Sequence, residues 1–273
     1  LARDVDTDGD VDLLVVKASA PGKQVVALYE NLGSASFGAA QVLLAPKGDV
    51  TDLAWVDLDS DGLEDLAATT SFTDAISGKT EWAVCVLQGL GAGSFGPAEC
   101  REDSLWDPEA IAVLDVSGDP KPEIVVASRT NGMVVSFTYP GPWLLALDRE
   151  LLFPLDGPQR VHVADLDGDG DPDLVAALAD AGRLAWTRNL GGGQYSGWRV
   201  LATAAHPPFH PKAWAASGDL DGDGDLDVVG TLEDERFWLE NLGTGLFGSP
   251  LPIGGGPVST SGFDGLEVAD LDQ

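Results

Sequence analysis

Four times in 273 residues, aspartates fall at positions 1, 3, 5 and 9 of a nine-residue stretch that has glycine at position 6. The copies are Asp4, Asp6, Asp8 and Asp12; Asp57, Asp59, Asp61 and Asp65; Asp165, Asp167, Asp169 and Asp173; and Asp219, Asp221, Asp223 and Asp227. An acidic turn needs one Asp and a Gly. Four carboxylates in so short a span repel one another, so the spacing predicts a cation held among them. Positions 1, 3 and 5 aim alternate side chains at one centre, and glycine permits the sharp bend. The backbone carbonyl of position 7, which is Asp10, Leu63, Asp171 or Asp225, faces inward, and position 9 closes the shell. An all-oxygen donor set selects calcium over zinc or copper, and the strict octahedron of magnesium suits such a cage poorly. Four calcium sites are therefore expected. A worn copy, Asp115, Ser117, Asp119 and Glu123, has Pro120 where the glycine should be and predicts an empty or weak fifth site. A truncated copy, Asp270-Leu271-Asp272, ends the chain.

These loops recur with their first aspartates at positions 4, 57, 115, 165, 219 and 270, a period of roughly 50 residues that marks a repeat architecture. Each full copy is followed by an apolar run, such as Leu13 to Val16, Leu66 to Ala68 or Leu174 to Ala176. A second phrase lies further on in each unit. It reads Asn31-Leu32-Gly33 with Phe37-Gly38, Gly89-Leu90-Gly91 with Phe95-Gly96-Pro97, and Asn241-Leu242-Gly243 with Phe247-Gly248. The fourth unit keeps Asn189-Leu190-Gly191 but has Tyr195-Ser196, and the third has only Asn131-Gly132. Between these landmarks the apolar pattern is strand-like, four short strands per unit, which is what a β-propeller blade requires. A helix-loop-helix calcium protein is excluded, because β-type runs follow each loop at once. The expected fold is all-β, one domain over 1–273, with approximate repeats 1–53, 54–111, 112–161, 162–215 and 216–266.

The aspartate loop, the buried strand after it and the Asn-Leu-Gly to Phe-Gly phrase together resemble the FG-GAP and VCBS repeats of integrin-α-type β-propellers. The resemblance implies calcium loops on one face, between the first two strands of each blade. It also implies an extracellular or cell-surface setting and service in adhesion, ligand binding or scaffolding. The third unit departs from the pattern in both phrases. Five repeat intervals favour a five-bladed ring in which residues 266–273 close the first blade, since an open end would expose a sheet edge. A fragment of a seven-bladed propeller is the alternative.

Aspartate and glutamate number 45 against 15 lysines and arginines, a formal charge of −30 that excludes binding driven by phosphate attraction to nucleic acid. Hydrophobic residues at 44% are ample for a core, and no apolar run approaches the length of a membrane span. The chain starts at Leu1 and its sole methionine is Met133, the look of a piece of a longer precursor. Cys85 and Cys100 flank a turn around Gly91 to Gly93, so an antiparallel hairpin would pair them; a register slip would leave two free thiols. Trp55, Trp82, Trp186 and Trp238 sit in strand patterns and read as packing residues, while Trp106 and Trp143 lie in irregular sequence. His162, His206 and His210 read as surface residues. Without a nucleophile elbow, phosphate loop or zinc-protease signature, the expectation is no catalytic activity. A calcium-stabilised adhesion or scaffold module with a protein or glycan ligand is expected. A lectin-like propeller is the alternative, and a domain of a secreted enzyme a more distant one. Recognition is expected away from the aspartate loops, in the irregular segments Arg101 to Pro108, Pro140 to Trp143 and His206 to Pro211.

Overall fold

The structure is a computed structural model, and it describes residues 1–34, 36–74, 76–103, 107–119, 121–138, 150–204, 213–232 and 235–254. Trp106, Pro120, Trp143, His206, His210 and the segment 266–273 lie outside the described residues, as do Pro140 to Trp143 and His206 to Pro211. The described residues contain strands and turns, with no helix among them.

Five sheets of four strands follow one another along the chain, each antiparallel throughout, and Gly89–Gly91 with Ser94–Phe95 form a small two-stranded sheet between the third and fourth strands of the second. The first comprises Ala2–Arg3, Asp12–Ala20, Lys23–Tyr29 and Gln41–Leu44. The second comprises Asp49–Val56, Asp65–Thr73, Thr80–Leu87 and Glu99–Asp103, and the third Pro108–Leu114, Glu123–Ser128, Met133–Phe137 and Glu150–Pro154. In the fourth are Pro158–Ala164, Asp173–Leu178, Arg183–Thr187 and Arg199–Thr203; in the fifth, Ala213–Gly218, Asp227–Leu232, Glu235–Leu239 and Leu251–Pro252. Ala2–Arg3 pairs with Asp12 and Leu13, so the N-terminal sheet has a short first strand of its own. The chain divides into two compact units. One is Leu1–Val113, Lys121–Val126 and Ser136–Glu150; the other is Leu114–Pro120, Ala127–Val135 and Leu151–Gln273. The first two sheets belong to the former, the last two to the latter, and the third is shared.

Each aspartate loop is the connection from first to second strand, and the ninth-position acid is the first residue of that second strand. The apolar runs behind it explain why: Glu123–Ser128, Asp173–Leu178 and Asp227–Leu232 are buried at every position, as strands covered on both faces must be. The second strand of the first sheet differs, for Leu14 is buried while Leu13, Val15 and Val16 are exposed. In the unit holding the first two sheets, Leu14, Val26 and Leu28 pack with Leu66, Cys85 and Leu87. In the other, Trp186 is buried among Leu166, Val175, Val228 and Leu239, and its ring meets Phe247 edge-on at 5.6 Å. His162 is a correction to the surface reading: it is half-buried, its Nε2 lies 2.9 Å from Ser217 Oγ, and burial lowers its pKa.

Cys100 stands directly opposite Cys85 in the pairing of Glu99–Asp103 with Thr80–Leu87, and the two form a disulfide across 15 residues of chain. By restricting the unfolded chain, a loop of this length contributes about 3 kcal/mol. We expect the double substitution Cys85→Ser, Cys100→Ser to lower unfolding free energy by about that amount in denaturant titrations. The denatured, unreduced protein should show no titratable thiol.

Candidate metal centres

The four intact loops share one scaffold of backbone bonds. The first aspartate accepts from the glycine N–H five residues on: Gly9 to Asp4 at 3.0 Å, Gly62 to Asp57 at 3.0 Å, Gly170 to Asp165 at 2.9 Å and Gly224 to Asp219 at 3.1 Å. These glycines have φ between 86° and 98°, a region closed to most L side chains, so the sixth position admits little else. The fifth-position acids Asp8, Asp61, Asp169 and Asp223 each accept from the N–H two residues on. Side chains thereby converge. Oxygens of Asp4, Asp6 and Asp8 lie within 4.8 Å of one another, as do those of Asp57, Asp59 and Asp61. In the last two loops the converging sets are Asp165, Asp167 and Asp173, and Asp219, Asp221 and Asp227.

The ninth-position carboxylate does more than face the loop. Its Oδ2 accepts the N–H of position 2 and its Oδ1 accepts the N–H that opens the second phrase. Asp12 takes Val5 at 3.0 Å and Asn31 at 2.8 Å; Asp65 takes Leu58 at 3.0 Å and Gly89 at 2.8 Å. Asp173 takes Leu166 at 3.1 Å and Asn189 at 2.8 Å; Asp227 takes Leu220 at 3.0 Å and Asn241 at 2.8 Å. Trp186 Nε1 adds a third donor to Asp173 at 3.2 Å. The phrase answers in kind, since Asn31, Asn189 and Asn241 donate through Nδ2 to the position-8 carbonyls of Val11, Pro172 and Leu226. Side chains at position 7 lie over the phrase: a Cβ on Gly33, Gly191 or Gly243 would meet Oδ2 of Asp10, Asp171 or Asp225 at 3.0 to 3.4 Å, and Leu63 stands likewise against Gly91. Loop and phrase are thus one unit folded from two sequence motifs.

Crowding sets the electrostatics. Burial raises the pKa of Asp6, Asp167 and Asp221, and neighbouring carboxylates push the same way. Asp65 and Asp173 are pushed by burial to about 6 despite the N–H bonds that oppose the shift. Asp4 Oδ1 and Asp167 Oδ1 are buried without a hydrogen-bond partner. An orphaned buried carboxylate oxygen is costly, and a hard cation is what would satisfy it. The residues present therefore fit calcium, with Asp4, Asp6 and Asp8, Asp57, Asp59 and Asp61, Asp165, Asp167 and Asp173, and Asp219, Asp221 and Asp227 as the side chains that would hold it. In the third loop Gly118 N–H donates to Asp115 Oδ1 at 2.6 Å, and Glu123, the ninth-position acid, is buried.

A model of the FG-GAP-like repeat matches residues 4–68, 115–176 and 165–230. The chain belongs to the FG-GAP-like repeat family. Its four-stranded sheets are blades of a β-propeller fold. A comparison of the sequence with curated proteins finds no match. Among solved structures, the chain is similar to an Agrocybe aegerita lectin that recognises non-reducing terminal N-acetylglucosamine, at 20% identity and a TM-score of 0.56. The alignment covers 92% of this chain and 64% of the lectin. It is also similar to the V. cholerae biofilm matrix protein Bap1, at 20% identity and a TM-score of 0.46, over 89% of this chain and 37% of that protein. The chain thus spans less than two-thirds of either relative.

Reading this FG-GAP-like sequence by ligand spacing alone misses two things. The structural role of the ninth acid is one; its placement at the head of an apolar strand was the available signal. The other is the residue before each phrase, which has no spacing signature.

Two outcomes follow for the ninth position. Asp173→Ala strands the N–H groups of Leu166 and Asn189 and the Trp186 indole, so unfolding free energy should drop by about 3 kcal/mol or more, in chelator as well as in calcium. Asp65 and Asp173 titrate near 6 in the fold against an ordinary 3.8, so the native chain binds more protons between those values. Stability in chelator should then fall as the pH rises from about 4 to about 6, and Asp173→Asn should flatten that slope in urea titrations across the window.

Proposed function

We propose that this chain is a calcium-stabilised extracellular binding or scaffold module without catalytic activity. The observation that carries the reading is the fourfold convergence of carboxylates on a backbone-fixed loop, with buried oxygens at Asp4 and Asp167 that no protein donor satisfies. Bound calcium supplies opposite charge to groups that otherwise repel. The protein's own contribution is to fix Asp positions 1 and 5 through loop N–H groups and position 9 through the phrase. In the fourth and fifth blades Asp173 and Asp227 belong both to the converging set and to the bonds that tie loop and phrase together, so relief of their repulsion stabilises the blade itself. The acids of the loops are engaged in this way, which supports a role in binding over one in catalysis. A fold shared with a lectin makes glycans, alongside proteins, the ligand classes to test, and a glycan array read with calcium present separates the two.

Chelation is the direct experiment. At free calcium about 100 times a site's Kd, each occupied site adds about 2.7 kcal/mol of stability by linkage. Excess chelator should therefore lower the melting temperature markedly, with calcium restoring it and magnesium restoring it less. A melting curve indifferent to verified metal removal would refute the proposal.

A further inference from the structure

The residue immediately before each second phrase varies in charge: Glu30, Gln88, Arg188 and Glu240 in the first, second, fourth and fifth sheets. Its backbone is held alike in all four. The carbonyl accepts from the second residue of the Phe-Gly pair, Gly38 to Glu30, Gly96 to Gln88, Ser196 to Arg188 and Gly248 to Glu240, at 2.8 to 2.9 Å. In two blades the side chain is seen to reach the third-position acid of its own loop. Gln88 Nε2 donates to Asp59 Oδ2 at 3.3 Å, and Arg188 Nε pairs with Asp167 Oδ2 at 2.6 Å. The side chain of Asp167 is 3% exposed and that of Arg188 41%, with Arg188 Nε itself buried, so the guanidinium reaches into the loop from the solvent side. Ser196, in place of the glycine found in the other blades, adds an Oγ that accepts from Arg188 N–H at 2.9 Å and further fixes this residue.

We infer that the residue preceding the phrase sets the calcium affinity of its loop, and that Arg188 is a built-in counter-cation that makes the fourth loop the weakest of the four. The inference rests on the calcium reading above. Affinity of oxygen cages follows the charge of the ligand set. An arginine paired with a ligand-position carboxylate subtracts one negative charge and must be displaced or tolerated when a dication enters. Gln88 leaves the charge of the second loop unchanged, and Glu30 and Glu240 put a further negative charge at the equivalent backbone position. The order of affinity is then first and fifth loops above the second, and the second above the fourth. Asp167 Oδ1, buried and unpartnered beside the ion pair, leaves the fourth loop still open to a cation at higher concentration. The loops would fill in sequence as calcium rises, the fourth last.

Isothermal titration of calcium into the chelator-stripped intact chain tests this, with Arg188→Gln, Arg188→Glu and Glu240→Arg beside the wild type. We expect the weakest site to tighten about tenfold in Arg188→Gln and further in Arg188→Glu, while Glu240→Arg weakens one tight site by about tenfold, a unit charge at such short range being the cause. Arg188 is half in solvent, so Arg188→Gln should fold, and Glu240→Arg gives an independent change of opposite sign. A multi-site isotherm unchanged by all three substitutions overturns this inference and leaves the calcium reading standing. A flat isotherm in wild type and variants alike overturns both.

Discussion

A buried carboxylate that accepts two backbone N–H groups from different parts of the chain underlies each complete blade. Asp12, Asp65, Asp173 and Asp227 each open the second strand, hold the start of the preceding loop with one oxygen and hold the phrase after the third strand with the other. A buried polar group is tolerable only when satisfied, and these are satisfied by donors that a turning backbone must otherwise leave orphaned. The bond pair fixes where the loop starts relative to where the next turn begins, and hence how the ligand-bearing side chains converge.

The same loops carry the tension of the structure. Burial raises the pKa of Asp6, Asp167 and Asp221, and the neighbouring acids gathered into the same bend add to the shift. Within the fourth loop Arg188 meets part of that charge from inside the chain, through its ion pair with Asp167.

Loops and phrases also join successive sheets. Asn241 Nδ2 reaches past its own blade to the carbonyl of Leu166, the second residue of the fourth loop, at 2.7 Å. A Cβ on Gly193 would press on Ser117 O at 2.9 Å, and Gly93 of the second sheet sits beside Asp6 of the first loop. At Gly193 a neighbouring loop passes too close for a side chain.

Much of this was legible in the residues. The period, the nine-residue acid spacing and the apolar runs identify four-stranded blades, because strand burial and ligand geometry are local in sequence, and the family resemblance implies the place of the loops between first and second strands. The Cys85–Cys100 hairpin was legible as far as its centre, and only the register of Glu99–Asp103 on Thr80–Leu87 decided that the two sulfurs meet. Other features required the folded chain. Nothing in the spacing tells that Asn189 and Leu166, 23 residues apart, share the carboxylate of Asp173, since that bond exists only once three strands have aligned. His162 reads as a surface residue until Ser217, 55 positions away, is brought to its ring. The pairing of Arg188 with Asp167 is of the same kind. A charge before an asparagine carries no meaning along the chain; the return of the third strand past the loop places it against a buried aspartate and gives it one.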